Sequence, residues 1–240
     1  MHAPRNIPLI FYATPPDRCP YLEEREMTTV FADPKGPMDG KSYGQLLDAG
    51  FRRSGQHVYR HQCRGCDACV SLRVPAATFR PNRGQRRTWR RNADLQVQVR
   101  EAVYDPAHFD LYSRYVNQRH QEGGMDHPTP EGYWGFISSR WCETWLVEFL
   151  LGGRLACVAV ADRVPQGLSA VYTFFDPALE RRSPGTFAIL WQLEATREQG
   201  LPHVYLGYWN PLTPKMAYKV RFQPAQGLVD GLWQRVGPDC

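Results

Sequence analysis

The chain has 240 residues, a net charge of +5, 42% hydrophobic and 22% charged residues, proportions of a soluble globular protein long enough for one large domain or two small ones. Its longest apolar runs, such as 145–151, fall far short of the ~20 residues of a membrane span. The N-terminus lacks a charged head followed by an apolar core, so the expectation is a cytoplasmic protein with no membrane partner.

Residues 1–41 are rich in proline, glycine and charge and read as irregular structure, with Cys19 inside Asp17-Arg18-Cys19-Pro20-Tyr21. Ser42 to Ala49 reads as a short helix capped by Ser42 and stopped by Gly50. Val58-Tyr59 and Leu72-Arg73-Val74 are short strands flanking three cysteines, and Arg83 to Arg91 is the next helix. Leu95 to Val103 alternates as a strand with one wet face. Helices follow over Ala107 to His120 and Glu131 to Ser139, from the 3–4 spacing of Phe109, Tyr112, Tyr115 and Val116, then Tyr133, Trp134 and Ile137. Between them Gly123 to Pro128 has the composition of a mobile loop. Thr144 to Leu151 and Arg154 to Ala161 form a hairpin across Gly152-Gly153, and Leu168 to Phe175 pairs next. A long amphipathic helix, Thr186 to Gln199, is closed by Gly200. Val204 to Trp209 is a strand, Pro214 to Val220 a short helix and Leu228 to Trp233 a last strand.

From residue 107 this order is two helices, an antiparallel meander, a long helix, a strand, a short helix and a strand. By analogy it is the α/β (α+β) topology of GNAT acyltransferases. The expected division is a smaller, cysteine-containing α/β half over 1–104 and a GNAT-like acyltransferase half over 105–240. Such folds splay two central strands into a slot for an acyl donor, which suggests acyl transfer.

Three features carry chemistry. Cys63-x2-Cys66-x2-Cys69 gives three thiols whose spacing lets the sulfurs converge on one point, as in zinc sites and iron–sulfur runs. Cysteines clustered in a cytoplasmic protein read as metal or redox ligands before disulfides. The fourth ligand is expected from Cys19, with His57 and His61 as substitutes. The second feature is a basic interval, 68–93, which holds seven arginines and no carboxylate, so the rest of the chain sums to −2. Within it Arg83, Arg86, Arg87, Arg90 and Arg91 lie at i, i+3, i+4, i+7 and i+8, one helix face. Five like charges on one face repel, and a phosphate backbone docked on them is the simplest neutralisation, with Trp89 available for packing or stacking. The third is the pair of aromatic strands Leu168 to Phe175 and Tyr205 to Trp209, followed by Lys215 and Lys219 at i, i+4. On pattern alone the aromatics read as core and the two lysines as a wet surface.

Taken together, these blocks resemble the bacterial aspartate/glutamate leucyltransferases, relatives of the arginyl-tRNA–protein transferases. The resemblance rests on Gly50-Phe51-Arg52-Arg53-Ser54-Gly55, Tyr59-Arg60, the three-cysteine run, Phe79 to Arg87, Asn92 to Leu95, Leu168 to Tyr172, Asp176-Pro177, Tyr205 to Tyr208 and Lys215 to Lys219. Departures are Pro184 for the usual Leu, Phe187 for Tyr, Gly84 for Ser and His61 for Pro. The resemblance implies transfer of leucine from leucyl-tRNA to proteins beginning with Asp or Glu, marking them for degradation through a downstream protease adaptor. It implies substrate-binding roles for Tyr172, Tyr208, Lys215 and Lys219 and a possible iron–sulfur cluster or zinc at Cys19, Cys63, Cys66 and Cys69, without CoA.

An aminoacyl ester is already activated, and an N-terminal amine with pKa of roughly 7.7–8.0 is partly neutral near pH 7.5, so positioning matters more than a strong base. The arginine helix serves as tRNA clamp, the strands around Val171 and Leu206 as leucine pocket, and Arg52 or Arg53 as the fork for the acidic side chain. Asp162, at the end of a central strand, is the expected proton acceptor, with Glu148 as its rival. Two other classes stay open. An acyl-CoA acetyltransferase needs a second glycine that Arg182-Ser183-Pro184-Gly185-Thr186-Phe187 lacks, and a non-enzymatic metal-containing nucleic-acid module would leave 107–240 without a task.

Overall fold

The computed structural model describes residues 9–119 and 127–237. The region read as irregular contains strands β1 (Phe11–Ala13), β2 (Asp17–Arg18), β3 (Glu26–Met27) and β4 (Thr29–Ala32). After them come α1 (Gly40–Asp48), β5 (Arg52–Ser54), β6 (His57–His61), β7 (Val70–Pro75), α2 (Arg83–Arg91) and β8 (Gln96–Glu101). The second half holds α3 (Pro106–Arg119), α4 (Pro130–Ile137), β9 (Glu143–Leu151), β10 (Arg154–Val164), β11 (Gly167–Phe175) and α5 (Pro184–Glu198). The chain then runs through β12 (His203–Trp209), α6 (Pro214–Ala217), β13 (Ala225–Val229) and β14 (Leu232–Val236). Short 3-10 helices occupy Pro177–Arg182 and Tyr218–Arg221.

Three local readings change. The cap of α1 is Asp39, whose carboxylate accepts from the Ser42 N–H at 2.7 Å, so Ser42 lies inside the helix. The expected strand 228–233 is a hairpin: β13 and β14 pair across the turn at Asp230-Gly231. The strand β10 runs on to Val164, which puts Asp162 within it rather than at its end. His120 and Gly123 to Asp126 of the expected helix end and loop lie outside the described residues.

The main sheet has eight strands in the order β14-β13-β7-β12-β11-β10-β9-β8, and a second has the order β1-β4-β6-β5. β10 is buried from Ala156 to Asp162, the mark of a strand covered on both faces; α3 and α5 both pack on β10 and β11. β8, at the edge, is exposed at nearly every position, with only Val97 half-buried. The large sheet takes β7 and β8 from before residue 104, so strand pairing runs across the expected boundary at 104–105.

This is the mixed α/β, GNAT-like arrangement expected from element order, and its diagnostic event is a parting of strands. β12 pairs in parallel with β11 only at Gly167–His203, Leu168–Val204 and Ser169–Tyr205. Beyond that point β11 stays with β10 as far as Phe175, while β12 stays with β7 as far as Trp209. A bulge between Tyr205 and Gly207 helps turn β12 away.

Candidate active site

Where β11 and β12 separate, a small cavity of about 50 Å³ is lined by Arg52, Lys219, Ser169, Val171, Leu206 and Gly207. Gly207 has φ +69, and a Cβ there would stand 3.4 Å from Arg52 Nη1 and 3.7 Å from Lys219 Nζ. The positive φ is what calls for glycine there, and both side chains lie against the strand at this bulge. Arg52 stands over the rings of Tyr208 at 5.1 Å and Tyr59 at 5.5 Å, a cation–π seat that spares it an acidic partner. Lys219 donates from Nζ to the Tyr208 carbonyl at 2.9 Å. Burial, and then the Arg52 guanidinium, pull the Lys219 amine down to about 7. Neither cation forms an ion pair among the described residues. Tyr43 also lines the slot, its hydroxyl 3.4 Å from Ser169 Oγ; nothing in its local pattern marked it.

The two adjacent arginines have opposite fates because successive side chains on a strand point to opposite faces. Arg53 is spent on Asp162: Nε reaches Oδ2 at 2.5 Å and Nη2 reaches Oδ1 at 2.6 Å, with both side chains fully buried. Thr144 Oγ1 donates to the same carboxylate at 2.7 Å, and Arg53 Nη2 also reaches the Ile137 carbonyl at 2.9 Å. This clamp joins β5, β9, β10 and the end of α4. It corrects two expectations. Arg53 is not available to a substrate carboxylate, and Asp162 is a balanced counter-ion in the core rather than an open proton acceptor, although its strand neighbour Ser169 lines the slot.

Glu148, the rival acceptor, is not in the slot either. It sits on β9 level with Val158 and thereby with Phe174, at the end of β11 away from Ser169. Its carboxylate is held by His108 Nε2 at 2.9 Å, with Arg100 at 3.5 Å. Tyr172 is likewise not brought to the cations; its ring packs with Tyr112, Tyr115 and Phe136. Tyr208 is brought there, buried, as the ring beneath Arg52. Lys215 lies in α6, and its side chain is outside the described set.

The four cysteines meet. Cys19, Cys63, Cys66 and Cys69 line one cavity of about 340 Å³ together with Tyr21, His61 and Tyr208. Cys19 arrives on the β2–β3 hairpin, and a bridge between Cys63 and Cys66 shapes the turn that presents the other three. Burial first, then the neighbouring Cys19 and Cys63, push the Cys69 thiol up to about 11. Thiols gathered closely enough to suppress ionisation of Cys69 are a donor set suited to a cation. No three of these sulfurs fall within 4.8 Å of one another, so the set is assembled but not drawn tight around a point. His61 does not join as a ligand: its ring stacks on Tyr208 at 4.9 Å, its Nδ1 meets Thr29 Oγ1 at 3.1 Å, and burial with Arg52 holds its imidazole down at about 4.

The arginine helix forms as read. Asn82 and Gln85 make a reciprocal capping box, the Asn82 side chain accepting from Gln85 N–H at 2.9 Å and Gln85 Oε1 accepting from Asn82 N–H at 2.8 Å. Gln85 and Asn92 are its buried anchors, reaching the Arg221 and Arg182 carbonyls. Arg83, Arg86, Arg87, Arg90 and Arg91 are all exposed and none forms an ion pair among the described residues. At the start of α5, Arg182 is engaged with Asp94, Asn92 and the Arg91 carbonyl, contacts that occupy the loop where an acyl-CoA enzyme would cradle a pyrophosphate.

The family model described as "Arginine-tRNA-protein transferase, N terminus" matches residues 17–87, and the one described as "Arginine-tRNA-protein transferase, C terminus" matches 107–229. A protein named aspartate/glutamate leucyltransferase from Hahella chejuensis is 48% identical over 94% of this chain and 96% of its own length. One of the same name from Marinobacter nauticus is 46% identical over 96% of this chain and 98% of its own length. A third, from Nitrosococcus oceani, is 48% identical over 93% of this chain and 94% of its own length. With both halves matched and near-complete coverage, the chain belongs to the arginine-tRNA-protein transferase family, among its aspartate/glutamate leucyltransferases.

Proposed function

We propose that the slot between β11 and β12 is where leucine passes from leucyl-tRNA to the N-terminal amine of a protein beginning with Asp or Glu. The chain is an aminoacyltransferase of this kind. The observation that carries the choice of the slot is the unpaired Arg52 guanidinium beside the buried Lys219 amine, set where the central strands open.

Arg52 takes the acidic side chain. Its fork can hold a carboxylate bidentately, whereas an amide offers no charge to balance. The leucyl side chain packs on Val171 and Leu206. The amine nitrogen bonds to the ester carbonyl carbon, the bond from that carbon to the ribose oxygen breaks, and that oxygen becomes a free hydroxyl of the tRNA. Lys219 replaces Asp162 and Glu148 as acceptor of the amine proton, since an amine held near 7 is substantially neutral at working pH. Positioning supplies much of the rest, with effective molarities of ~10⁵ M or more for well-oriented pairs.

The exposed arginines of α2 hold the tRNA backbone. Cys19, Cys63, Cys66 and Cys69 would hold zinc or an iron–sulfur cluster, which when bound would brace the β2–β3 hairpin against the Cys63–Cys69 loop. Residues 1–104 supply the tRNA clamp and lend Arg52 to the slot, and residues 105–240 supply Lys219 and the leucine pocket. No described helix is long and apolar enough to cross a membrane, and we infer that the protein works in the cytoplasm, where a protease adaptor reads the new leucine.

The test is leucine transfer from charged tRNA to an Asp-initiated peptide, with an Asn-initiated peptide and acetyl-CoA as rival acceptor and donor. Leucine transfer restricted to the acidic peptide is the expected result. Acetyl transfer without leucine transfer would overturn the reading.

A further inference from the structure

A groove of about 380 Å³ lies between α2 and α5, away from both the slot and the cysteines. Its floor is Phe79, Trp89, Leu190 and Leu193, and Arg80, Arg86 and Arg90 stand around it. Leu190 and Leu193 are a turn apart on α5 and present one face. Trp89 packs on Phe187 with ring centroids 5.2 Å apart, yet remains 39% exposed, unusual for so large an apolar ring. The loop at the groove's mouth is fixed by its own arginines: Arg80 Nη1 donates to the Phe79 carbonyl at 2.8 Å and Arg86 Nη1 to the Pro81 carbonyl at 2.5 Å. Arg80, Arg86 and Arg90 form no ion pair among the described residues, and Glu194, the groove's one acid, is already paired with Arg197.

An apolar floor alone would fit many occupants, and arginines alone would fit any polyanion. Their combination is narrower. The ligand must offer a flat, largely apolar group and fixed negative charge within one side-chain length of it. A nucleotide does this, a base for Trp89 and flanking phosphates for the arginines. A duplex does not, because its bases are stacked and paired while only its phosphates face outward. The volume is at the small end for ligand pockets, which suits one residue rather than a strand.

We propose that this groove receives a single unpaired nucleotide of the tRNA, its base laid on Trp89 and its phosphates on Arg86 and Arg90. This rests on the reading of the partner as an aminoacyl-tRNA and goes beyond it, because it makes part of the affinity depend on an unstacked base and not only on backbone charge. The groove is not the transfer site, since no residue lines both it and the slot. It is a second anchor on the tRNA.

The experiment compares binding of a short single-stranded RNA oligomer, an abasic oligomer of equal length and phosphate count, and a duplex of that length. Base–aromatic stacking corresponds to roughly fivefold to a hundredfold in affinity. The wild-type protein is expected to hold the base-bearing oligomer at least fivefold tighter than the abasic one. Trp89→Ala should erase that gap while leaving the salt slope unchanged, and Trp89→Phe, which keeps the packing on Phe187, should retain most of it. Equal affinities for the two oligomers on the wild type, a gap that survives in Trp89→Ala, or a duplex bound as well as the single strand would each overturn the proposal. Leucine transfer from intact charged tRNA is measured on the same preparations. If transfer proceeds while the oligomers are indistinguishable, the groove idea fails alone; if transfer is absent, the parent reading fails.

Discussion

Replacing Asp162 by Asn removes the charge that balances Arg53 and keeps the side chain's volume. Both partners are fully buried, so the guanidinium would be left in the core with only neutral acceptors, among them the Ile137 carbonyl and the Thr144 hydroxyl. Breaking a buried pair by removing one partner costs roughly 3–5 kcal/mol, a large share of the about 5–15 kcal/mol that holds a domain together. At about 2–4 °C per kcal/mol for a chain of this size, the unfolding midpoint should fall by roughly 6–20 °C. The remaining neutral acceptors favour the smaller end of that range. Replacing both partners together, Arg53→Met with Asp162→Leu, should recover part of the loss, since it leaves no unpaired charge. The measurement is thermal unfolding followed by circular dichroism, with leucine transfer assayed well below the midpoint and normalised to folded protein. Turnover per folded molecule is expected to stay within about twofold of the wild type. An Asp162→Asn protein that melts like the wild type but transfers leucine slowly would refute the reasoning, because the carboxylate would then be acting on the reacting atoms.

Lys219→Met should lower kcat by roughly 10²–10⁴. The wild-type rate should rise with pH through about 7, because the neutral amine is the active form and is lost as pH falls; Lys219→Arg should remove that limb. Arg52→Met should raise KM for an Asp-initiated peptide and collapse its advantage over an Asn-initiated one, and Arg52→Lys should restore only part, which steady-state kinetics on paired peptides would reveal. Arg86→Ala with Arg90→Ala should flatten the salt dependence of tRNA binding by roughly one slope unit per lost phosphate contact; an unchanged slope would remove the clamp. Cys66→Ser should abolish a stoichiometric metal found in anaerobically purified protein, and metal analysis that finds none in the wild type would return the cysteines to free thiols.

What the sequence made legible was whatever it encodes locally. Arg83–Arg91 could be read to the residue because five arginines repeat on one helix face within nine positions. The order of β9, β10, β11 and α5 followed from long apolar runs with clear breakers. β1 was missed because its partner is distant and its faces wet: it is exposed at all three positions and pairs with β4, which itself needs β6. Asp230-Gly231 was a readable hairpin signal, but one apolar run on each side masked it as a single strand. In the site, the family blocks brought in Arg52, Tyr208 and Lys219. The division of labour between Arg52 and Arg53 was not visible, because it depends on Asp162, distant in sequence and adjacent only after folding. The same is true of Lys219, whose i, i+4 spacing with Lys215 describes a wet helix face while its depressed basicity comes from burial beside Arg52.

The position of β7 also sets an order of events during synthesis. It lies between β12 and β13 in the large sheet, yet it leaves the ribosome well over a hundred residues before His203–Trp209 can pair with it. Until then its apolar residues Leu72 and Val74, destined for full burial, have no final partner. When β12 does arrive, it joins β7 to the rest of the sheet and, by parting from β11, opens the slot in the same step. The nascent chain therefore cannot carry a finished transfer site before nearly all of it has been made. A partly made enzyme, tethered to a machine surrounded by charged tRNA, is inert by construction.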